Sequence, residues 1–161
     1  KILNEMAKCI KDIHDHGIVH LDIKLENFIC VEYNAFNIKL IDFEFSKFVG
    51  NQNEKILYSI GTRPNIAPEI IIHKIVNLKC DVWSLASSFY GFITGENLLP
   101  QENYDKNFFN KNISKYKKTR IDKLKNNYSN NFCHLFENML ELDYKKRYTI
   151  NQVLNHQIFN T

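Results

Sequence analysis

At 161 residues, 44% of them hydrophobic, the chain is long enough for one domain, or one large lobe of a domain, with a core. A formal charge of +3 argues for neither a nucleic-acid stripe nor a polybasic membrane surface, and the Lys and Asn residues are spread along most of the chain. No stretch nears the roughly 18 apolar residues of a membrane span, and no signal-peptide pattern is present.

The chain opens at Lys1 in the middle of a helical pattern, so it reads as a fragment of a longer polypeptide. Ile2, Leu3, Met6, Ile10 and Ile13 share one face of a helix over 1–16, and Gly17 supplies its stop. The helix delivers the chain into residues 20–27, His-Leu-Asp-Ile-Lys-Leu-Glu-Asn. Here Asp22, Lys24 and Asn27 are interleaved with apolar Leu21, Ile23 and Leu25, which can root a loop in a core. A carboxylate can accept a hydroxyl proton, a lysine can neutralise a phosphoryl oxygen, and a carboxamide can ligate magnesium. Asp22 and Asn27 can also be plain loop formers that cap turns.

Residues 28–33 and 36–41 are β-branched and aromatic, with Asn34-Ala35 as a tight turn between them, which predicts a hairpin. It returns Asp42 to the Asn27 end of the loop, so two magnesium-competent side chains meet. Residues 46–62 read as a mobile polar loop. Pro64 and Pro68 hold 61–69 in a non-helical path. Residues 81–94 are apolar almost all round, the pattern of a buried helix, with Asp81 satisfying free N–H groups at its start and Gly95 closing it. Residues 100–130 lack clear periodicity and suggest a short helix near 104–111 between loops. A helix follows over 131–141, and Thr149 to Gln152 fits a capping box opening a last helix that carries Ile150, Val153, Leu154, Ile158 and Phe159. There is no internal repeat.

Cys9, Cys30, Cys80 and Cys133 have no C-x-x-C or zinc spacing. Free thiols in a reducing compartment follow, hence a cytoplasmic or nuclear location, with Cys30 and Cys80 as small core residues. His20 reads as a hydrogen-bonded core group. His14, His16, His73, His134 and His156 have no ligand spacing with one another. Lys115, Lys117 and Lys118 read as a solvated basic run.

Taken in order, these landmarks resemble the eukaryotic protein kinases of the serine/threonine type. His20-Leu-Asp22 with Lys24 and Asn27 is similar to the catalytic loop. Asp42-Phe43 resembles the start of D-F-G. Ala67-Pro68-Glu69 matches A-P-E, and Asp81-Val-Trp83 resembles the central helix, whose aspartate holds the loop backbone. Asp143 to Arg147 resembles D-P-x-x-R, whose arginine pairs with Glu69. The resemblance covers only the C-terminal lobe: a mainly α fold with a small β-hairpin, built around a buried central helix.

It implies ATP and Mg2+ as cofactors and a protein substrate, without nucleic acid. The N-lobe of the same polypeptide is expected to complete the site. The implied roles are Asp22 as base, Lys24 on the γ-phosphate, Asn27 and Asp42 on the metal, and Thr62 supporting Asp22 and Lys24. Leu21 stands where arginine is usual, so it cannot pair with a loop phosphate. Glu44 stands where glycine is usual, at an expected strain of order 1–3 kcal/mol, and adds a carboxylate beside the metal site. Tyr144 stands where proline is usual. Leu21 and Glu44 motivate an alternative, a pseudokinase scaffold or binding module of the same fold. A small-molecule kinase is a third class, against which Ala67-Pro68-Glu69 speaks.

Overall fold

The computed structural model describes residues 1–32, 37–50, 52–58, 60–100 and 106–159. The fold is mainly helical, as the sequence implies, with small antiparallel sheets at one side. Helix α1 (Ile2–His14) buries Leu3, Met6, Ala7 and Ile10. The expected stripe is rotated slightly: Ile2 is exposed, and His14 takes a buried place instead. Gly17, at φ 72°, turns the chain out of the helix, and a Cβ there would stand 2.9 Å from the Gly50 Cα.

The strands are β1 (Ile18–Val19), β2 (Phe28–Glu32), β3 (Asn37–Leu40), β4 (Lys47–Phe48), β5 (Glu54–Lys55) and β6 (Ile75–Val76). They pair as β1–β4, β2–β3 and β5–β6. The β2–β3 hairpin sets Phe28 opposite Leu40 and Cys30 opposite Ile38, with an irregularity between Cys30 and Glu32. Its expected turn at Asn34-Ala35 lies outside the described residues. The hairpin packs on α1 through β3, where the Cys9 thiol donates to the Ile38 carbonyl at 3.2 Å. Strand β2 is therefore the outer one. Cys30 is exposed, contrary to its expected place in the core, and so are Ile29 and Val31.

The loop expected over 46–62 is tied down at two places. Lys47 lies opposite Val19 and Phe48 opposite Ile18, while Glu54 lies opposite Val76 and Lys55 opposite Ile75. Two-residue ladders are too short to leave a period in the sequence, and both partners are distant along the chain. Pro68 also departs from expectation. It opens α2 (Pro68–His73) at the first turn, where its missing N–H costs nothing.

Helix α3 (Lys79–Thr94) buries every residue from Cys80 to Tyr90 and ends at Gly95. Trp83 and Tyr90 are its largest fully buried side chains, and burying each large apolar side chain contributes about 1.5–3 kcal/mol. The short helix expected near 104–111 is instead α4 (Lys106–Lys125); Tyr104 and Asp105 lie outside the described residues. Phe109, Ile113, Ile121 and Leu124 are its buried stripe. Four apolar positions in a run of Lys and Asn are a thin signal, and packing on α2 and α5 (Asn130–Met139) makes it sufficient.

Ser129 caps α5 by accepting from the Phe132 N–H. Thr149 and Gln152 form the expected capping box of α6 (Ile150–Leu154). That helix ends at Asn155, and Ile158 lies in a separate 3-10 turn at Gln157–Phe159. Among the described residues no helix is long and apolar enough to cross a membrane.

Candidate active site

Residues 20–27 are suspended from α3. Asp81 does not cap its own helix. Its carboxylate accepts from the His20 N–H at 2.8 Å and the Leu21 N–H at 2.9 Å, and His14 Nε2 lies 2.9 Å away. The free N–H groups it satisfies therefore belong to the loop, as the family resemblance implies, and not to the helix start. One and two turns along the helix, Ser84 and Ser88 continue the stripe. The Ser88 hydroxyl donates to the Ile23 carbonyl at 3.1 Å. The Ser84 and Ser87 hydroxyls donate to the Asn65 carbonyl and side-chain oxygen, at 2.8 and 2.9 Å. One buried helix thus fixes both the loop and residues 62–65. Sequence reading missed these serines; the signal was their spacing of three and seven from Asp81 within an apolar run.

Leu21 and Ile23 are rooted in the core, as the alternation predicts. Between them, Asp22 is only 3% exposed and its carboxylate is surrounded by donors. Oδ1 accepts from the Thr62 N–H at 2.9 Å and the Thr62 hydroxyl at 2.6 Å. Oδ2 accepts from Lys24 Nζ at 2.7 Å and Asn27 Nδ2 at 3.3 Å. Burial pushes the Asp22 carboxyl up, but the bonds from Lys24 and Thr62 outweigh it and its pKa is lowered. The bond to Asp22 in turn raises the Lys24 ammonium, with the Asp42 charge contributing. An ionised pair at the mouth of a loop is the result.

Thr62 reaches Asp22 because Gly61 precedes it. Gly61 has φ 104°, and a Cβ there would lie 2.4 Å from the Leu21 carbonyl oxygen. No side chain fits between the two backbones. Gly61 was overlooked in the sequence, where a glycine beside threonine reads as an ordinary turn residue. A cleft of about 320 Å³ opens beside this assembly, lined by Lys24, Thr62, Asn65, Ser87, Ser88 and Gly91 among others.

Asn27 is buried at the end of a 3-10 turn (Leu25–Asn27). Its Nδ2 donates to the Asp22 carbonyl at 2.8 Å, which leaves Oδ1 as its acceptor. The Asn27 carbonyl accepts from the Ile41 N–H at 2.9 Å. The Ile41 carbonyl lies 3.0 Å from His20 Nε2, while His20 Nδ1 accepts from the Asp22 N–H at 3.3 Å. The Nε2 atom therefore carries the proton. His20 is a fully buried strut, as read from sequence, and the Phe43 ring meets it edge-on at 5.0 Å.

The bond from Ile41 ties the backbone one residue before Asp42 to Asn27. Unlike Asp22, Asp42 is exposed, and among the described residues its carboxylate accepts a long 3.5 Å contact from the Glu44 N–H. The strain expected at Glu44 is absent. The left-handed angles among described non-glycine residues fall at Leu21 (φ 68°), Asp42 (φ 63°) and Lys74 (φ 56°). The turn is made at Asp42, whose short polar side chain tolerates that region, so Glu44 needs no glycine-like backbone. Ile29, Ile41 and Phe43 are apolar and exposed.

Glu69 and Arg147 meet as the family resemblance implies, through two bonds of 2.7 and 2.8 Å. Arg147 also donates to the Lys79 and Glu141 carbonyls and stacks over Trp83 at 5.2 Å. The protein kinase domain model matches residues 1–159. The chain belongs to the protein kinase domain family. It is 30% identical over 157 residues to the smooth-muscle myosin light chain kinase of Gallus gallus, covering 97% of this chain and 8% of that protein. It is 31% identical over 159 residues to the serine/threonine-protein kinase DCLK3 of Mus musculus, covering 96% of this chain and 20% of that protein. The chain thus spans a fifth or less of the length of either relative.

Proposed function

We propose that the chain is the C-terminal lobe of an ATP-dependent protein serine/threonine kinase, with the reacting groups at Asp22, Lys24, Thr62, Asn27 and Asp42. The observation that carries this reading is the Asp22 carboxylate: buried, held ionised by Lys24 and Thr62, and next to a cleft that can seat an extended peptide. In that position Asp22 orients a substrate hydroxyl and accepts its proton. Lys24, charged and half-buried, steadies the transferring phosphoryl oxygens. Thr62 fixes both and joins them to the substrate-binding segment through Asn65.

The residues present fit Mg2+ and ATP. Asn27 Oδ1 and the exposed Asp42 carboxylate are hard oxygen donors on adjacent backbone, and magnesium shared with phosphates uses only one or two protein ligands. Among the described residues no cluster of three or more His, Cys, Asp or Glu stands ready as a self-sufficient metal site, which suits an ion shared with a nucleotide. When bound, the ion neutralises charge on the phosphates. The apolar, exposed Ile29 and Ile41 would carry the base. Completion of the nucleotide site falls to an N-lobe of the same polypeptide.

Asp22→Asn in the complete polypeptide tests the reading. Transfer of labelled γ-phosphate to protein should fall by about 100- to 10,000-fold, with magnesium-dependent nucleotide binding retained. Unchanged transfer removes Asp22 from the mechanism. Nucleotide binding without turnover in the parent protein would favour the scaffold reading that Leu21 and Glu44 motivate.

A further inference from the structure

Away from Asp22, a second cavity of about 390 Å³ lies between residues 52–53, the start of α3 and the turn at 144–149. Lys79 and Lys145 line it and no carboxylate does. Neither lysine forms an ion pair among the described residues. Among the described residues Lys79 Nζ donates to the Lys145 carbonyl, at 2.9 Å. The carboxylates that act on Lys79 from farther off have other partners. Asp143 accepts from the Lys145 N–H at 3.0 Å, and Glu69 is held by Arg147. Burial and the Arg147 guanidinium push the Lys79 ammonium down, against the opposing pull of Asp143 and Glu69.

Asn77 adds an independent observation. It lines the same cavity and is only 6% exposed. Its Oδ1 accepts from the Lys79 N–H at 2.9 Å, which fixes the orientation of the carboxamide. The remaining Nδ2 has no acceptor among the described residues, and a buried donor without one is costly. The cavity also sits at the positive end of α3, which favours an anion. Gln52, Asn53 and Tyr144 add neutral donors, and Leu78 is its one aliphatic lining residue.

We propose that this cavity is an oxyanion site that takes a phosphate group, either free or esterified to a side chain. Donors converge on it from three separate segments, which suits a tetrahedral anion with several oxygens better than a planar carboxylate. An anion held there joins residues 52–53 to the N-terminus of α3. This inference is independent of the phosphotransfer reading.

The test is a titration of the protein with inorganic phosphate at constant ionic strength, followed by calorimetry and thermal unfolding. Phosphate at millimolar concentration should raise Tm where added chloride does not. Lys79→Met and Lys145→Ala should each weaken binding about tenfold, the worth of one charge-assisted hydrogen bond. Lys145 lies on an exposed turn, so its variant decides the matter if Lys79→Met fails to fold. Where the phosphate is esterified, the intact mass shows a phosphoryl group. Its removal by phosphatase then lowers Tm in the parent and not in Lys145→Ala, which also supports the site. Equal protection by chloride, or binding unchanged in both variants, identifies an adventitious ion only and overturns the proposal.

Discussion

Two of the carboxylate–cation pairs in this protein, Glu69–Arg147 and Asp22–Lys24, differ in what surrounds them. Glu69 and Arg147 are 1% and 0% exposed at their side chains and meet through a bidentate fork. Two further guanidinium donors go to backbone carbonyls, and the guanidinium face lies over Trp83. Asp22 and Lys24 are 2% and 23% exposed, and Lys24 is a point charge on a flexible stem at the edge of a cleft. The first pair is sealed and holds three parts of the chain together: α2, the start of α3 and the turn at 141–147. The second is held by Thr62 but stays partly open at Lys24. A planar arginine locks a geometry, whereas a lysine can re-aim its three donors toward a new oxygen. The contrast separates a carboxylate that holds the fold from one placed to do chemistry.

The largest way to break that contrast is at the sealed pair. Arg147→Met leaves the Glu69 charge buried without its partner, and unfolding in urea should show a loss of about 3–5 kcal/mol. A loss below 1 kcal/mol would mean the pair does not hold the fold. Next comes Gly61→Ala. Its Cβ meets the Leu21 carbonyl at 2.4 Å in a left-handed conformation, so about 1–3 kcal/mol should be lost. Because Thr62 is displaced from Asp22, activity should fall further than the loss of stability explains; proportionate losses would reduce Gly61 to a folding residue.

The pH dependence sharpens the open pair. The folded-state pKa of Asp22 is lowered, so its contribution is complete above the unfolded carboxylate range and disappears as pH falls through the folded value. The stability gap between parent and Asp22→Asn, of about 1 kcal/mol, should be flat above about pH 5 and close below about pH 4. A gap that widens on acidification reverses the sign and refutes the ionised pair. The smallest effect is expected at Glu44. Its backbone is not left-handed, so Glu44→Gly should cost about 1 kcal/mol or less. A gain in stability would show that Glu44 is strained after all. A change in the magnesium dependence of nucleotide binding would place its carboxylate at the metal.

Much of this was legible in the chain. The interleaving of Leu21, Ile23 and Leu25 with Asp22, Lys24 and Asn27 announces a polar edge on an apolar root, because local alternation survives folding. The all-round apolarity of 81–94 announces a buried helix for the same reason. What failed were features that depend on partners far away in sequence. The segment 46–62 is pinned by pairs at residues 18–19 and 75–76, and α4 becomes a long helix only because α2 and α5 cover four of its side chains. Cys30 looked like core because its neighbours are apolar, yet the hairpin rests on α1 through the other strand.

By itself the sequence determined which residues carry charge, where the chain turns, and which helix is buried on all sides, since these follow from side-chain chemistry and short-range period. Side-chain pattern assigned Asp81 to its own helix and the family resemblance assigned it to the loop; the tertiary structure places its carboxylate on the loop. It alone placed Gly61 against Leu21 so that Thr62 reaches Asp22, and it moved the left-handed turn from Glu44 to Asp42. Those outcomes depend on distances between segments 20 to 60 residues apart, which side-chain periodicity does not encode and close packing fixes.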